Sequence, residues 1–226
     1  LLLAFFFLFL MSVVFHELGH AAAAYWRGDN TARDLGRITL NPIAHIDPVW
    51  SILMPIFTTL LFQLPFGGAK PVPIDPRNFR NPRIDDLIVT LAGPAANLIQ
   101  AALYAGLFVA LYGDMSPDEV AHSALGVILV SIVFVNLFLT AFNLLPVPPL
   151  DGSHVVAAIL PRSVAQAYRS IGVFGILIVI LLLQSTGLGL GLLNGCRFVM
   201  EALGIDWNVS AAALSRLFSL GSEIGL

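Results

Sequence analysis

VVFHELGHAAA, residues 14–24, decides how the rest of the chain is read. His16 and His20 stand four residues apart. On a helix that spacing puts them on one face, one turn apart, able to close on a single metal ion. Glu17 lies beside the first histidine, placed to take a proton from metal-activated water. Both flanks are apolar: residues 1–15 carry no charge, and AAAAYW follows at 21–26. A soluble metalloenzyme would show an amphipathic helix here. This helix is apolar all round, which puts the metal site inside a membrane.

Composition agrees. Of 226 residues, 58% are apolar and 11% charged, against about 25% charged in soluble domains. Stretches free of Asp, Glu, Lys and Arg cover residues 1–16, 48–69, 87–113, 120–150 and 170–196. A span needs about 20 apolar residues, so each except the first is long enough, and the metal motif completes the first. A cleavable leader would show a basic n-region and a small-residue cleavage site, and neither is seen. The net charge of −3 makes no electrostatic case for nucleic acid. A single cysteine, Cys196, excludes an internal disulfide and a thiolate metal cluster.

The pattern predicts an all-α, polytopic integral membrane protein with about four to six hydrophobic helices. One catalytic domain is expected over residues 1–205, with its motifs in 12–160. A separate surface helix is expected at 206–226, with Leu214, Leu217 and Phe218 as its apolar stripe. Residues 113–121 form an acidic turn, with Ser116-Pro117-Asp118-Glu119 as a helix start. Pro146-Val147-Pro148-Pro149 breaks the helix that begins near 122. AKPVPI, residues 69–74, suits a short extended, β-like, membrane-associated segment. Residues 49–66 are a candidate re-entrant segment. If they return to the side they left, nine of the 11 Lys and Arg fall on one side and two on the other. If they cross, the split is five to six. Positive-inside logic favours re-entry.

Two histidines leave a metal site incomplete, since a catalytic zinc usually has three protein ligands and an open position. The best third candidate is Asp151, in NLLPVPPLDG at 143–152. It follows a run that cannot be helical, and irregular backbone at membrane depth lines a protein-buried or wet cavity. In this arrangement zinc activates water and polarises a carbonyl, while Glu17 moves the proton. Asn97 and Asn143 are the amides best placed to hold an extended substrate backbone or developing charge. An unwound substrate helix needs partners for its freed backbone, and AKPVPI offers a strand edge.

HELGH on an apolar helix, AGPAAN (92–97) and NLLPVPPLDG together resemble the site-2 protease family, zinc intramembrane metalloproteases. GRITLNPIAHIDP (36–48) and GGAKPVPI (67–74) resemble its compact bacterial and archaeal branch, without PDZ or nucleotide-sensing domains. The resemblance covers roughly residues 12–160. It implies that His16, His20 and Asp151 bind one zinc ion per chain and that Glu17 is the catalytic base. It implies that Asn143 contacts substrate and that the segment containing Gly67, Gly68, Ala69, Lys70, Pro71 and Val72 guides it. The expected activity is endopeptidic hydrolysis in or near transmembrane segments of membrane-protein substrates. The expected setting is a bacterial or archaeal plasma membrane, with the lipid bilayer and a transmembrane-helix substrate as partners.

Blander readings stand beside these. Asp151 would also cap a helix at 152–160, and Asn97 and Asn143 would also serve as interhelical hydrogen-bonding groups. His45 is more simply a loop hydrogen-bonding residue than a ligand, His122 an interfacial one and His154 a solvated one. A transporter or channel binding an ion through the same residues would need paired halves with matching breaks, and none are visible. An inactive zinc-binding scaffold that captures membrane helices would have no use for Glu17, a carboxylate costly at that depth.

Overall fold

The computed structural model describes residues 1–62, 67–172 and 174–224, without the side chains at 52, 55, 59, 62, 218 and 220–224. The chain is helical almost throughout. Helix α1 is Leu2–Arg27, α2 Thr31–Asp34 and α3 Met54–Phe62. Next come α4 Pro82–Tyr112, α5 Pro117–His122, α6 Ala124–Asn143 and α7 Gly152–Ile159. The chain closes with α8 Arg162–Arg169, α9 Phe174–Ser185, α10 Leu188–Ala202 and α11 Trp207–Ile224.

Three of these, α1, α4 and α6, are long and apolar enough to cross a membrane. The pair α8 and α9, bent by 76° at its break, makes a fourth if counted as one span. That is the lower end of the expected four to six. The last charge-free stretch, 170–196, is divided, because α9 ends at Ser185 and α10 starts only at Leu188. Large apolar side chains stand outward: Leu3 is 88% exposed and Leu60 79%. In water they would be a liability, whereas lipid is their natural solvent. The protein is multi-pass in a membrane.

Within 49–66 the described residues are helical. Proline-led π-helical turns at Pro48–Leu53 run into α3, and the whole is shorter than a span; residues 63–66 lie outside the described residues. Its two sides meet again. Asp29, just past α1, accepts from the Asp75 backbone N–H at 2.8 Å and the Asn78 amide at 2.8 Å. Arg27 at the end of α1 pairs with Asp85 in the first turn of α4. The chain therefore leaves α1 and enters α4 at one place, which is what re-entry of residues 49–66 requires. The Ala69–Ile74 stretch between them is neither helix nor turn, and no strand ladder occurs among the described residues.

The chain divides into two compact units. The first comprises Leu1–Ser12, Asn97–Phe142 and Gly187–Leu226. Its core contains Phe108, Val130, Val133, Leu137, Met200 and Ile205. The α5 start forms as expected, with Ser116 and Glu119 closing a capping box. The C-terminal helix is present, and Val209, Ala213 and Leu217 are its buried apolar residues in this core, Leu217 being one of the three expected in its stripe; the Phe218 side chain lies outside the described residues. A small buried alanine sets that face, which hydropathy alone does not mark.

The second unit comprises Val13–Ala96 and Asn143–Thr186. Here α1 meets α4 through small residues. A Cβ on Gly19 would fall 2.6 Å from the Ala92 carbonyl oxygen, so only glycine permits this approach. Gly152 is equally constrained: its Cβ would fall 2.2 Å from the Leu144 carbonyl oxygen. The irregular run from 144 to 151 folds back on that glycine, and α7 starts from it. This close turn is what positions Asp151.

Candidate metal centre

His16 and His20 occupy successive turns of α1. Their Nε2 atoms are 3.1 Å apart and the rings stand edge to face, 85° between planes. Asp151 Oδ2 lies 3.3 Å from His16 Nε2 and 3.5 Å from His20 Nε2. All three residues are within the second unit. Ligand atoms held about 2.0–2.1 Å from a tetrahedral metal ion lie about 3.3–3.4 Å from one another. The observed triangle is one face of such a tetrahedron.

Two further observations fit a metal. His20 Nδ1 lies 2.7 Å from the Val89 carbonyl oxygen. A carbonyl can only accept, so Nδ1 carries the proton and Nε2 presents its lone pair to the centre of the triangle. Asp151 Oδ2 is buried and takes no well-aligned hydrogen bond, although both imidazoles are near. A buried carboxylate oxygen without a partner is costly, and a cation at the shared centre relieves it.

Gly93 on α4 is the residue the sequence reading missed. A Cβ there would fall 2.2 Å from His20 Nε2 and 2.8 Å from His16 Cε1, so both rings lie directly on the glycine. The signal was a glycine inside an apolar helix, ahead of Pro94, in a position where only close packing justifies it.

The Glu17 carboxylate meets the segment at 69–74: its Oε2 accepts from the Val72 backbone N–H at 3.0 Å. Val72 belongs to the extended segment, whose alternate residues are tied down. Gly68 N–H donates to the Trp50 carbonyl and Lys70 N–H to the His45 carbonyl. Ser51 Oγ donates to the Gly68 carbonyl and Arg37 to the Lys70 carbonyl. Gly67 and Pro71 are exposed and Ala69 half-buried.

Asn143 is the last residue of α6, half-buried, where the break toward Asp151 begins. Asn97 lies in the first unit, fully buried, and donates to Asn136 Oδ1 at 3.0 Å. Asn136 in turn donates to Ser12 Oγ, a polar link between membrane helices. His45 is buried in its loop, with Nε2 3.0 Å from the Thr39 carbonyl oxygen. His154 faces Asp86 at 3.4 Å, and His122 its own helix carbonyl at Asp118.

Comparison with known proteins bears on this constellation. The profile of peptidase family M50 matches residues 4–122 and 108–183. A protein of Bacillus subtilis named putative zinc metalloprotease YwhC is 38% identical over 181 residues, which are 80% of this chain and 79% of that one. The putative zinc metalloprotease Rip2 of Mycolicibacterium smegmatis is 33% identical over 180 residues, 79% of this chain and 66% of its own. Rip2 of Mycobacterium tuberculosis is 25% identical over 213 residues, 93% of this chain and 79% of its own. No solved structure gives a significant match. With a family match over most of its length, and a His-Glu-x-x-His helix whose histidines meet a distant aspartate, the chain belongs to peptidase family M50, the site-2 proteases.

Proposed function

We propose that this metalloprotease is a zinc-dependent intramembrane endopeptidase. It hydrolyses peptide bonds in or near transmembrane segments of membrane proteins. The supporting observation is the buried triangle of His16, His20 and Asp151 inside a multi-pass apolar protein. Zinc is also the metal in the names of the YwhC and Rip2 relatives. His16, His20 and Asp151 would hold the ion. When bound, zinc supplies a Lewis acid that polarises a carbonyl and acidifies water.

The chain's own residues do the rest. The Val89 carbonyl keeps His20 in the tautomer whose Nε2 can ligate. Glu17 takes the proton from the attacking water and returns it to the departing amine nitrogen. The segment Gly67–Val72 guides an unwound substrate, and Asn143 contacts its backbone near the break. Asn97, engaged with Asn136, is left to helix packing in this reading. The natural setting is a bacterial or archaeal plasma membrane.

The test uses purified protein in detergent micelles with zinc. The probe is a panel of synthetic 24-residue Leu/Ala transmembrane peptides, each with a helix-weakening Asn-Gly or Gly-Pro pair at its centre. Wild type cuts some of these near the pair. Glu17→Gln keeps its zinc and loses about 10²–10⁴-fold in rate. Cleavage that survives in Glu17→Gln contradicts the mechanism, and a wild type that cuts none of the panel contradicts the activity.

A further inference from the structure

We infer that the backbone N–H of Val72 is a positioning group for Glu17. The inference rests on the reading of Glu17 as the proton-moving base and adds what holds it.

The bond is specific in three ways. First, Val72 carries the sole amide N–H of the run Pro71-Val72-Pro73, because proline has none. That one donor goes to Glu17 Oε2, at 3.0 Å. No other hydrogen bond to this carboxylate occurs among the described residues, so Oε1 is the oxygen left to receive a proton.

Second, the donor is rigidly mounted. Pro73 confines Val72 to extended backbone. The segment leading to it is pinned at Gly68 by Trp50 and Ser51 and at Lys70 by His45 and Arg37. Beyond it, the Asp75 N–H is pinned by Asp29. A donor fixed in advance needs no rearrangement to hold the carboxylate in place.

Third, side chain and backbone agree in register. Val72 is buried against Ala21, with Ala32 and Ile74 completing the cluster. Ala21 lies four residues after Glu17, on the same face of α1. The apolar contact at Ala21 therefore sets the amide opposite Glu17. A chance contact of a loop amide would not need two prolines, five tethers and a matched packing residue.

The consequence is that the extended segment acts on the chemistry as well as on the substrate. Losing the N–H frees the Glu17 carboxylate to rotate away from the attacking water. The effect falls on kcat rather than KM, because the substrate makes the same contacts before and after. If the bond instead merely covered the carboxylate, removing it would raise kcat.

Two measurements decide this. The first needs no substrate. Labelling with ¹³C′-proline and ¹⁵N-valine isolates three amides, those of Val49, Val72 and Val147. In the wild type the Val72 signal is protected from hydrogen exchange. In Glu17→Ala that protection falls about 10- to 100-fold, as expected for losing a hydrogen bond to a charged group. Equal exchange in both proteins overturns the inference. The second replaces Val72 by its α-hydroxy acid, which turns the amide into an ester and removes only the N–H. On a peptide from the panel above, kcat falls about 10- to 100-fold with KM within about two-fold, and zinc content is unchanged. A rise in kcat, or a change confined to KM, overturns it. A wild type that cuts no peptide would sink the proposed activity, while the exchange result would still stand or fall alone.

Discussion

His20 donates its Nδ1 proton to the Val89 carbonyl, one turn before the glycine on which its ring rests. Val89 and Gly93 thus grip the imidazole from one face of α4. The first sets the tautomer and the second makes the room. Both act on a ligand atom that faces His16 and Asp151.

Gly93→Ala tests that grip. Its Cβ would sit 2.2 Å from His20 Nε2 and 2.8 Å from His16 Cε1, so both metal-facing imidazoles would have to shift. Orienting groups around metal ligands are typically worth 10- to 100-fold in affinity. A direct clash should cost at least about 100-fold. Zinc affinity, measured by competition with a chelator, falls accordingly while the helical circular dichroism is kept. Unchanged affinity would mean that the histidines do not hold the metal in this geometry.

The loop after the extended segment hangs on Asp29. It is fully buried and accepts from the Thr31 N–H and hydroxyl, the Asn78 amide and the Asp75 N–H. Burial pushes its carboxyl up, but these hydrogen bonds outweigh burial and hold it below the ordinary 3.8. A lowered folded value contributes stability above about pH 4, and that stability is lost as pH falls further. Asp29→Asn should therefore be less stable than wild type near neutral pH, by about 1–3 kcal/mol, and the gap should narrow as pH falls below the ordinary carboxylate range. Neighbouring Asp75 does not confuse the comparison, because Arg77 holds its carboxyl down to about 2. A gap independent of pH would contradict a charged anchor.

Asp29 also joins the two ends of the stretch between α1 and α4. Positions 35 and 78 must then lie on one face of the membrane, the face richer in Lys and Arg. Leu35→Cys and Asn78→Cys, each made alone, should react with an impermeant maleimide from the same side. Cys196 is buried and adds little background. Labelling from opposite faces would contradict re-entry.

Much of this was written in residue types and their spacing. A helix apolar on every side can be read from composition, and two histidines at i and i+4 share a face whatever surrounds them. The run of prolines before Asp151 announced irregular backbone, and irregular backbone at membrane depth needs a reason. What stayed hidden depends on a second element. A glycine ahead of Pro94 in α4 signals close packing, but only the folded structure shows that the partner is His20. The Val72 amide looks like any loop amide until Glu17 is placed beside it. The last apolar stretch divides at the polar run Gln184-Ser185-Thr186-Gly187, which a count of charge-free residues passes over.

The central claim is that His16, His20 and Asp151 hold one metal ion. The direct measurement is the zinc content of the purified protein in detergent, wild type beside Asp151→Ala. The account predicts close to one zinc per chain in the wild type and a sharp loss in the variant. Equal zinc in both would move the third ligand elsewhere and contradict the site.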